Sequence, residues 1–332
     1  MTWKIIFDGK GFKKVEMQDE TLKEGHIKIK PIFYSVCGTD KSILLGKYKL
    51  EKPIALGHEI AGIVMEGNGI DIAGNELKVG DYVALYPNYF CEKCIDCLNR
   101  NFNACRNKVM IGVRTDGGLS EYMMVDPRFL LKLPEDLQKI LGPIIEPVAV
   151  GIHALKKFEE KDRRLVIIGL GGTGSLAYET ARILGFNDVV AVEKNERKLE
   201  LARMIGIRAF PSIREALSNK AINVLDTVGD NKSIGEIESA LDLIPSKSEI
   251  VITGLGNEVL SFHRDSLIRR ELTIKGSIIY NPTDFIEASE IVYANQQYYL
   301  KYITKVVKLS DPDILPSLLL DENNLKIIII IQ

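Results

Sequence analysis

Residues 164–177 read Arg-Leu-Val-Ile-Ile-Gly-Leu-Gly-Gly-Thr-Gly-Ser-Leu-Ala, an apolar strand that passes through spaced glycines into a helical pattern. A short run that is apolar on both faces belongs to a parallel sheet, and parallel strands need helical crossovers between them. Within the turn, Gly169 allows the tight reversal, Gly171 lets a pyrophosphate approach the backbone, and Gly174 lets the helix pack close on its strand. Gly172 and Thr173 open that helix, whose N-terminus favours an anion. The next strand, 188–192, ends at Glu193, where an acid meets the adenosine ribose hydroxyls. Its charge repels a 2′-phosphate and so favours NAD, while Lys194, Arg197 and Lys198 lie close enough to keep NADP open.

The alternation then continues. A helical pattern covers 195–205, strand-like residues cover 223–226, a second helical stretch covers 233–243, and strands follow at 249–253 and 272–275. This predicts a parallel sheet covered on both faces. Before Pro143 the texture changes to short apolar strands punctuated by glycine, as in 57–67, 78–85 and 117–125, which indicates a mostly β domain. A chain of 332 residues has room for two such cores. The five isoleucines 327–331 are too few to cross a bilayer and read as a strand paired inside a sheet.

Four of the five cysteines, Cys91, Cys94, Cys97 and Cys105, follow a C-x2-C-x2-C-x7-C pattern. Four thiolates suit a closed, structural Zn²⁺ site, and the polar residues between them could hardly form a core without a metal. The remaining cysteine lies in Ser35-Val36-Cys37-Gly38-Thr39-Asp40, with Gly57-His58-Glu59 following further on. Taken alone, His58 beside Glu59 reads as an ordinary surface pair and Cys37 as a small buried hydrophobe. Glu146, set between Ile145 and Pro147 in an apolar run, needs a partner, and a cation is the simplest one. One thiolate, one imidazole and one or two of these carboxylates around Zn²⁺ would make a catalytic site.

In this order, the isolated cysteine, Gly57-His58-Glu59, the four-cysteine lobe and the glycine turn resemble the zinc-dependent medium-chain dehydrogenases over nearly the whole chain. The resemblance implies an α/β protein: a GroES-like, mostly-β catalytic domain at 1–145 carrying the zinc lobe at 91–105, a Rossmann doubly wound parallel-sheet domain at 146–278, and a return to the catalytic domain at 279–332. It assigns Cys37, His58 and Glu59 to a catalytic zinc, Asp40 to orienting the histidine, and Thr39 to taking the substrate proton. Glu146 looks like the polyol, sugar and threonine branch, with either Glu59 or Glu146 as third ligand. The family often carries a histidine three residues after the relay hydroxyl; here that position is Ser42. The stretch 111–118, with Arg114, resembles the branch acting on sugar acids and polyols, and Leu44, Leu45 and Tyr48 are candidate pocket liners.

The function expected is therefore oxidation of a secondary alcohol, polyol, sugar or sugar acid by an NAD(P)-linked enzyme holding one catalytic and one structural zinc. The alternatives are a zinc-free reductase on the same fold and a dehydrogenase fold that binds without turnover. A formal charge of −2 offers no general attraction to nucleic acid or anionic membranes. With no secretory signal in the sequence, the expected setting is cytoplasmic, and the family habit is a homodimer or homotetramer.

Overall fold

The computed structural model describes residues 1–229, 237, 241, 243–256, 259, 261 and 264–331. It divides into two compact units. The first comprises Met1–Glu146, Asn281–Asp321 and Lys326–Gln332; the second comprises Pro147–Tyr280 and Glu322–Leu325.

The first unit is built on a largely antiparallel sheet. Its order runs Leu130–Lys132, Tyr82–Leu85, Ile60–Glu66, Ile27–Ser35, Lys326–Ile330 and Ile303–Lys308, with Met123–Val125 also paired to Ile27–Ser35. The isoleucine run is thus an interior strand, antiparallel to Ile27–Ser35 on one side and parallel to Ile303–Lys308 on the other. Pairing on both edges satisfies its backbone, and the strand buries Ile327, Ile328 and Ile329, β-branched side chains that would otherwise template aggregation.

The second unit is a six-stranded parallel sheet among the described residues, ordered Ala209–Phe210, Val189–Val192, Arg164–Ile168, Ile222–Asp226, Glu249–Ile252 and Thr273–Gly276. The order reverses beside Arg164–Ile168, the strand that feeds the glycine turn, and such a switch point is where nucleotides bind in doubly wound sheets. Val166, Ile168, Val190, Val192, Val224 and Ile250 form the centre of its core. The helical stretch expected at 233–243 lies mostly outside the described residues.

Two expected strands are shorter than their apolar patterns. The run from Lys78 begins to pair only at Tyr82, because Asp81 closes a turn by accepting the Lys78 amide at 2.9 Å and Gly80 turns with φ +93°. The run from Gly117 pairs with Ile27–Ser35 only from Met123. Before that, the amides of Gly117, Gly118 and Leu119 donate to the carbonyls of Ala55, Gly57 and Leu56 at 2.8–2.9 Å. Those bonds hold the segment against the turn that presents His58.

Among the described residues no helix is long and apolar enough to cross a membrane. Ile329 is fully buried in the interior strand. Shortening it to alanine is expected to cost about 3 kcal/mol of unfolding free energy, measured by chemical denaturation.

Candidate functional site

Cys37 follows the strand Ile27–Ser35, and His58 and Glu59 precede the strand Ile60–Glu66. These strands are antiparallel neighbours, Tyr34 pairing with Ile60 and Phe33 with Ala61, so the chain leaving one meets the chain entering the other. The Ser35 amide donates to the Glu59 carbonyl at 2.9 Å, which continues the contact to the metal-competent residues. One ligand atom from each of Cys37, His58 and Glu59 lies within 4.8 Å of the others. Cys37 thus meets His58 and Glu59, distant in sequence, because sheet register brings them together.

The short helix Gly38–Leu44 starts at Cys37 with a capping box: the Asp40 carboxylate accepts the Cys37 amide at 3.0 Å through Oδ2. That bond aims Oδ1 at His58, whose Nδ1 is 3.7 Å away. Both atoms are buried and have no hydrogen-bond partner. An imidazole that turns Nδ1 toward a carboxylate presents Nε2 to a metal, with its tautomer fixed. Thr39 lies beside the sulfur, its Oγ1 3.7 Å from Cys37 Sγ.

The acidic groups here are pushed toward their neutral forms. Burial raises the Cys37 thiol and the Asp40 carboxyl above their ordinary values, and burial with the Asp40 charge raises the Tyr34 phenol. Burial opposes charge on His58, yet the neighbouring Cys37 and Asp40 outweigh it and draw the imidazole toward protonation. The set as a whole calls for positive charge. Glu59 Oε1 is a further buried atom with no hydrogen-bond partner. Thiolate, imidazole and carboxylate are borderline-soft donors of the kind that hold Zn²⁺, and the orphaned atoms fit such an ion.

Glu146 is buried and acts on His58 through its charge, but it is not part of the three-residue group. Lys326 went unnoticed in the sequence. Its ammonium is 2.6 Å from Glu59 Oε2 and donates to the Val36 carbonyl at 3.0 Å, with both side chains only 1% exposed. The strand Lys326–Ile330 flanks Ile27–Ser35, and the Val36 amide donates to the Ile327 carbonyl, so Lys326 falls beneath Cys37 and Glu59 alike. A lone cation opening a five-isoleucine run was the available signal, since a buried lysine needs an anion.

In the lobe, Cys91, Cys94, Cys97 and Cys105 also place one sulfur each within 4.8 Å of the others. Cys94 opens the short helix Ile95–Leu98, and the Leu98 amide donates back to its carbonyl at 2.9 Å. The Asn107 side chain and backbone amides lower the Cys91 thiol to about 6, toward the thiolate that a metal binds. Ile95 and Leu98 face solvent, so the lobe does not close over an apolar centre formed by them. The sulfur cluster occupies that place, which fits a structural metal.

In the second unit, the glycine turn has the form its spacing required. Gly169 has φ +90° and, like Gly174, is packed so tightly that a Cβ would collide: with Val228 at the first and with the Gly169 carbonyl at the second. A Cβ on Gly171 would meet nothing within 4 Å, which leaves its face open for a pyrophosphate. Gly172 and Thr173 begin the helix Gly172–Ile183. Glu193 binds back to this turn: Oε2 accepts the Leu170 amide at 2.9 Å, and Oε1 accepts the Lys194 and Asn195 amides at 2.8 and 2.9 Å. Lys198 lies 3.7 Å from the same carboxylate, whereas Arg197 pairs with Glu200 at 2.9 Å.

Residues 23–135 match the alcohol dehydrogenase GroES-like domain, and residues 172–294 match the zinc-binding dehydrogenase domain. Over 290 residues the chain is 30% identical to galactitol 1-phosphate 5-dehydrogenase of Escherichia coli K12, covering 82% of each. It is 28% identical over 333 residues to probable D-xylulose reductase A of Arthroderma otae, covering 93% of this chain and 92% of that one. The crystal structure of galactitol-1-phosphate dehydrogenase from Escherichia coli aligns with a TM-score of 0.85 at 26% identity, covering 99% of both chains. The chain belongs to the zinc-dependent medium-chain alcohol and polyol dehydrogenases.

Replacing Lys326 by Met would leave Glu59 buried without its counter-charge. In metal-stripped protein this is expected to cost about 3 kcal/mol, with Lys326→Arg restoring most of it, as read by denaturant melts.

Proposed function

We propose that this chain oxidises a secondary alcohol of a polyol, sugar or sugar derivative to the carbonyl, passing hydride to NAD and releasing one proton. The observation that carries the reading is the convergence of one ligand atom each from the half-buried Cys37 and the buried His58 and Glu59, in surroundings that raise the Cys37 thiol above its ordinary value. The curated relatives named above are a galactitol phosphate dehydrogenase and a probable xylulose reductase, which supports a polyol or ketose as substrate class.

Zinc held by these residues supplies Lewis-acid polarisation of a hydroxyl, and the nicotinamide supplies the hydride acceptor. The chain's own residues do the rest. Cys37 and His58 hold the metal, with Glu59 or Glu146 as the third ligand. Asp40 orients the imidazole while capping the helix that carries Thr39. The Thr39 hydroxyl receives the substrate proton at Oγ1. Beyond it, Ser42 stands where the family often carries a relay histidine, and the proton is proposed to leave by water or through the ribose. In the second unit Gly171 admits the pyrophosphate and Glu193 faces the ribose. Because Glu193 also binds the Leu170 amide, selecting NAD and shaping the turn depend on one carboxylate. The working form is proposed to be a homodimer or homotetramer.

Metal analysis is expected to find two zinc ions per chain, and one in Cys37→Ala. That variant should lose turnover of a polyol panel while NADH still binds with the parent's affinity, measured by fluorescence titration. Retained turnover in metal-stripped Cys37→Ala would end the zinc mechanism. Glu193→Ala should weaken NAD more than NADP, and an unchanged ratio of the two affinities would remove Glu193 from cofactor selection.

A further inference from the structure

We infer that Arg114, seated against the Tyr48 ring, is a specificity-determining residue that takes an anionic group on the substrate, a phosphate or carboxylate carried away from the reacting hydroxyl. The inference rests on the reading of Cys37, His58 and Glu59 as the place of chemistry, because one half of this contact extends from the helix that begins at Cys37 and the other sits on a turn packed against the Gly57–His58 backbone.

The first half extends from Cys37. The helix Gly38–Leu44 ends in a turn whose Ser42 carbonyl accepts the amides of Lys47 and Tyr48 at 2.9 and 3.1 Å. Tyr48 is thereby tied to the helix that starts at the metal-competent cysteine. The second half rests on His58. Gly112, at φ +74°, lies so close to the preceding turn that a Cβ would come within 2.5 Å of the Gly57 carbonyl and 2.9 Å of the His58 nitrogen. The Gly112 amide donates to the Thr115 carbonyl at 2.9 Å, and the Arg114 amide donates to the Met110 carbonyl at 2.8 Å. Arg114 therefore stands at the tip of a tight turn whose base is packed on His58.

The two halves meet side chain to side chain. The Arg114 guanidinium lies 5.2 Å from the centre of the Tyr48 ring, and its Nη1 is 3.0 Å from Glu51 Oε1. A small cleft beside them is lined by Leu50, Glu51, Lys52, Ile54, Val113 and Arg114. The ring holds the planar fork in place, but the carboxylate it meets is poorly suited to a structural role. The Glu51 side chain is 84% exposed and that of Arg114 46% exposed, and an ion pair so placed stabilises a fold by little. Glu51 is better understood as an exchangeable anion. Its place suits a phosphate or carboxylate, which a guanidinium binds by two parallel charge-assisted bonds. Lys52 lines the same cleft and adds attraction without a fixed geometry.

The test compares a neutral hexitol, its 1-phosphate and a hexonate. KM and kcat are measured for the parent, Arg114→Ala and Glu51→Gln, and the phosphate and the hexonate are titrated calorimetrically into zinc-loaded protein without nucleotide. Arg114→Ala should raise KM and Kd for the preferred anionic compound by about tenfold while kcat and the KM of the neutral hexitol stay within about twofold. Glu51→Gln should lower the anionic KM by removing the resident competitor. The phosphate and hexonate arms decide which anion is read. Equal KM shifts for neutral and anionic compounds, or anion binding that Arg114→Ala leaves intact, would overturn the assignment. Absence of turnover on all three compounds, together with anion binding lost in Arg114→Ala, would instead remove the dehydrogenase reading and leave Arg114 as an anion site.

Discussion

The antiparallel pairing of Ile27–Ser35 with Ile60–Glu66 is the interaction on which the site depends. It brings a thiol, an imidazole and two carboxylates together, where burial pushes the Cys37 thiol and the Asp40 carboxyl toward their neutral forms. Removing such groups from water costs several kcal/mol per charge unless opposite charge accompanies them. Lys326 provides part of that charge from the strand on the other side, and a divalent ion in the cluster would provide the remainder. Fold stability and chemistry therefore share one electrostatic requirement.

A similar double use recurs elsewhere in the chain. Asp40 caps a helix with one oxygen and faces His58 with the other, so the same bond that starts the helix also aims the carboxylate. Glu193 accepts three backbone amides and thereby ties the glycine turn to the start of the next helix. In each case a carboxylate placed by local backbone geometry is held rigidly enough to act on a neighbour, because its rotamer is already fixed by bonds to amides.

Much of this could be read along the chain, and what was legible shares a property: it is local. The glycine spacing at 169–174 is diagnostic because each glycine answers a steric demand within a few residues, and Cys91 to Cys105 is diagnostic because four sulfurs in a short loop can hardly avoid one another. Cys37 with His58 and Glu59 was readable only through family resemblance, since nothing in the local pattern brings residue 37 to residue 58. The packing of Gly112 on His58 was invisible for the same reason, and Lys326 showed only as a lone cation before the isoleucine run, its partner unspecified. The strands near Lys78 and Gly117 are shorter than their apolar patterns, because a side-chain-closed turn and amides directed to another loop replace the ladder there.

The sequence by itself determined the parallel sheet with its nucleotide turn, the sulfur lobe and the pool of residues able to bind metal, because periodicity, glycine sterics and close cysteine spacing act over short stretches of chain. Tertiary structure alone decided which of those residues meet. Register between strands distant in sequence put Cys37 beside His58 and set Lys326 against Glu59, while the close packing of Gly112 on the Gly57–His58 turn brought Arg114 to Tyr48, and neither register nor such packing is contained in a single segment.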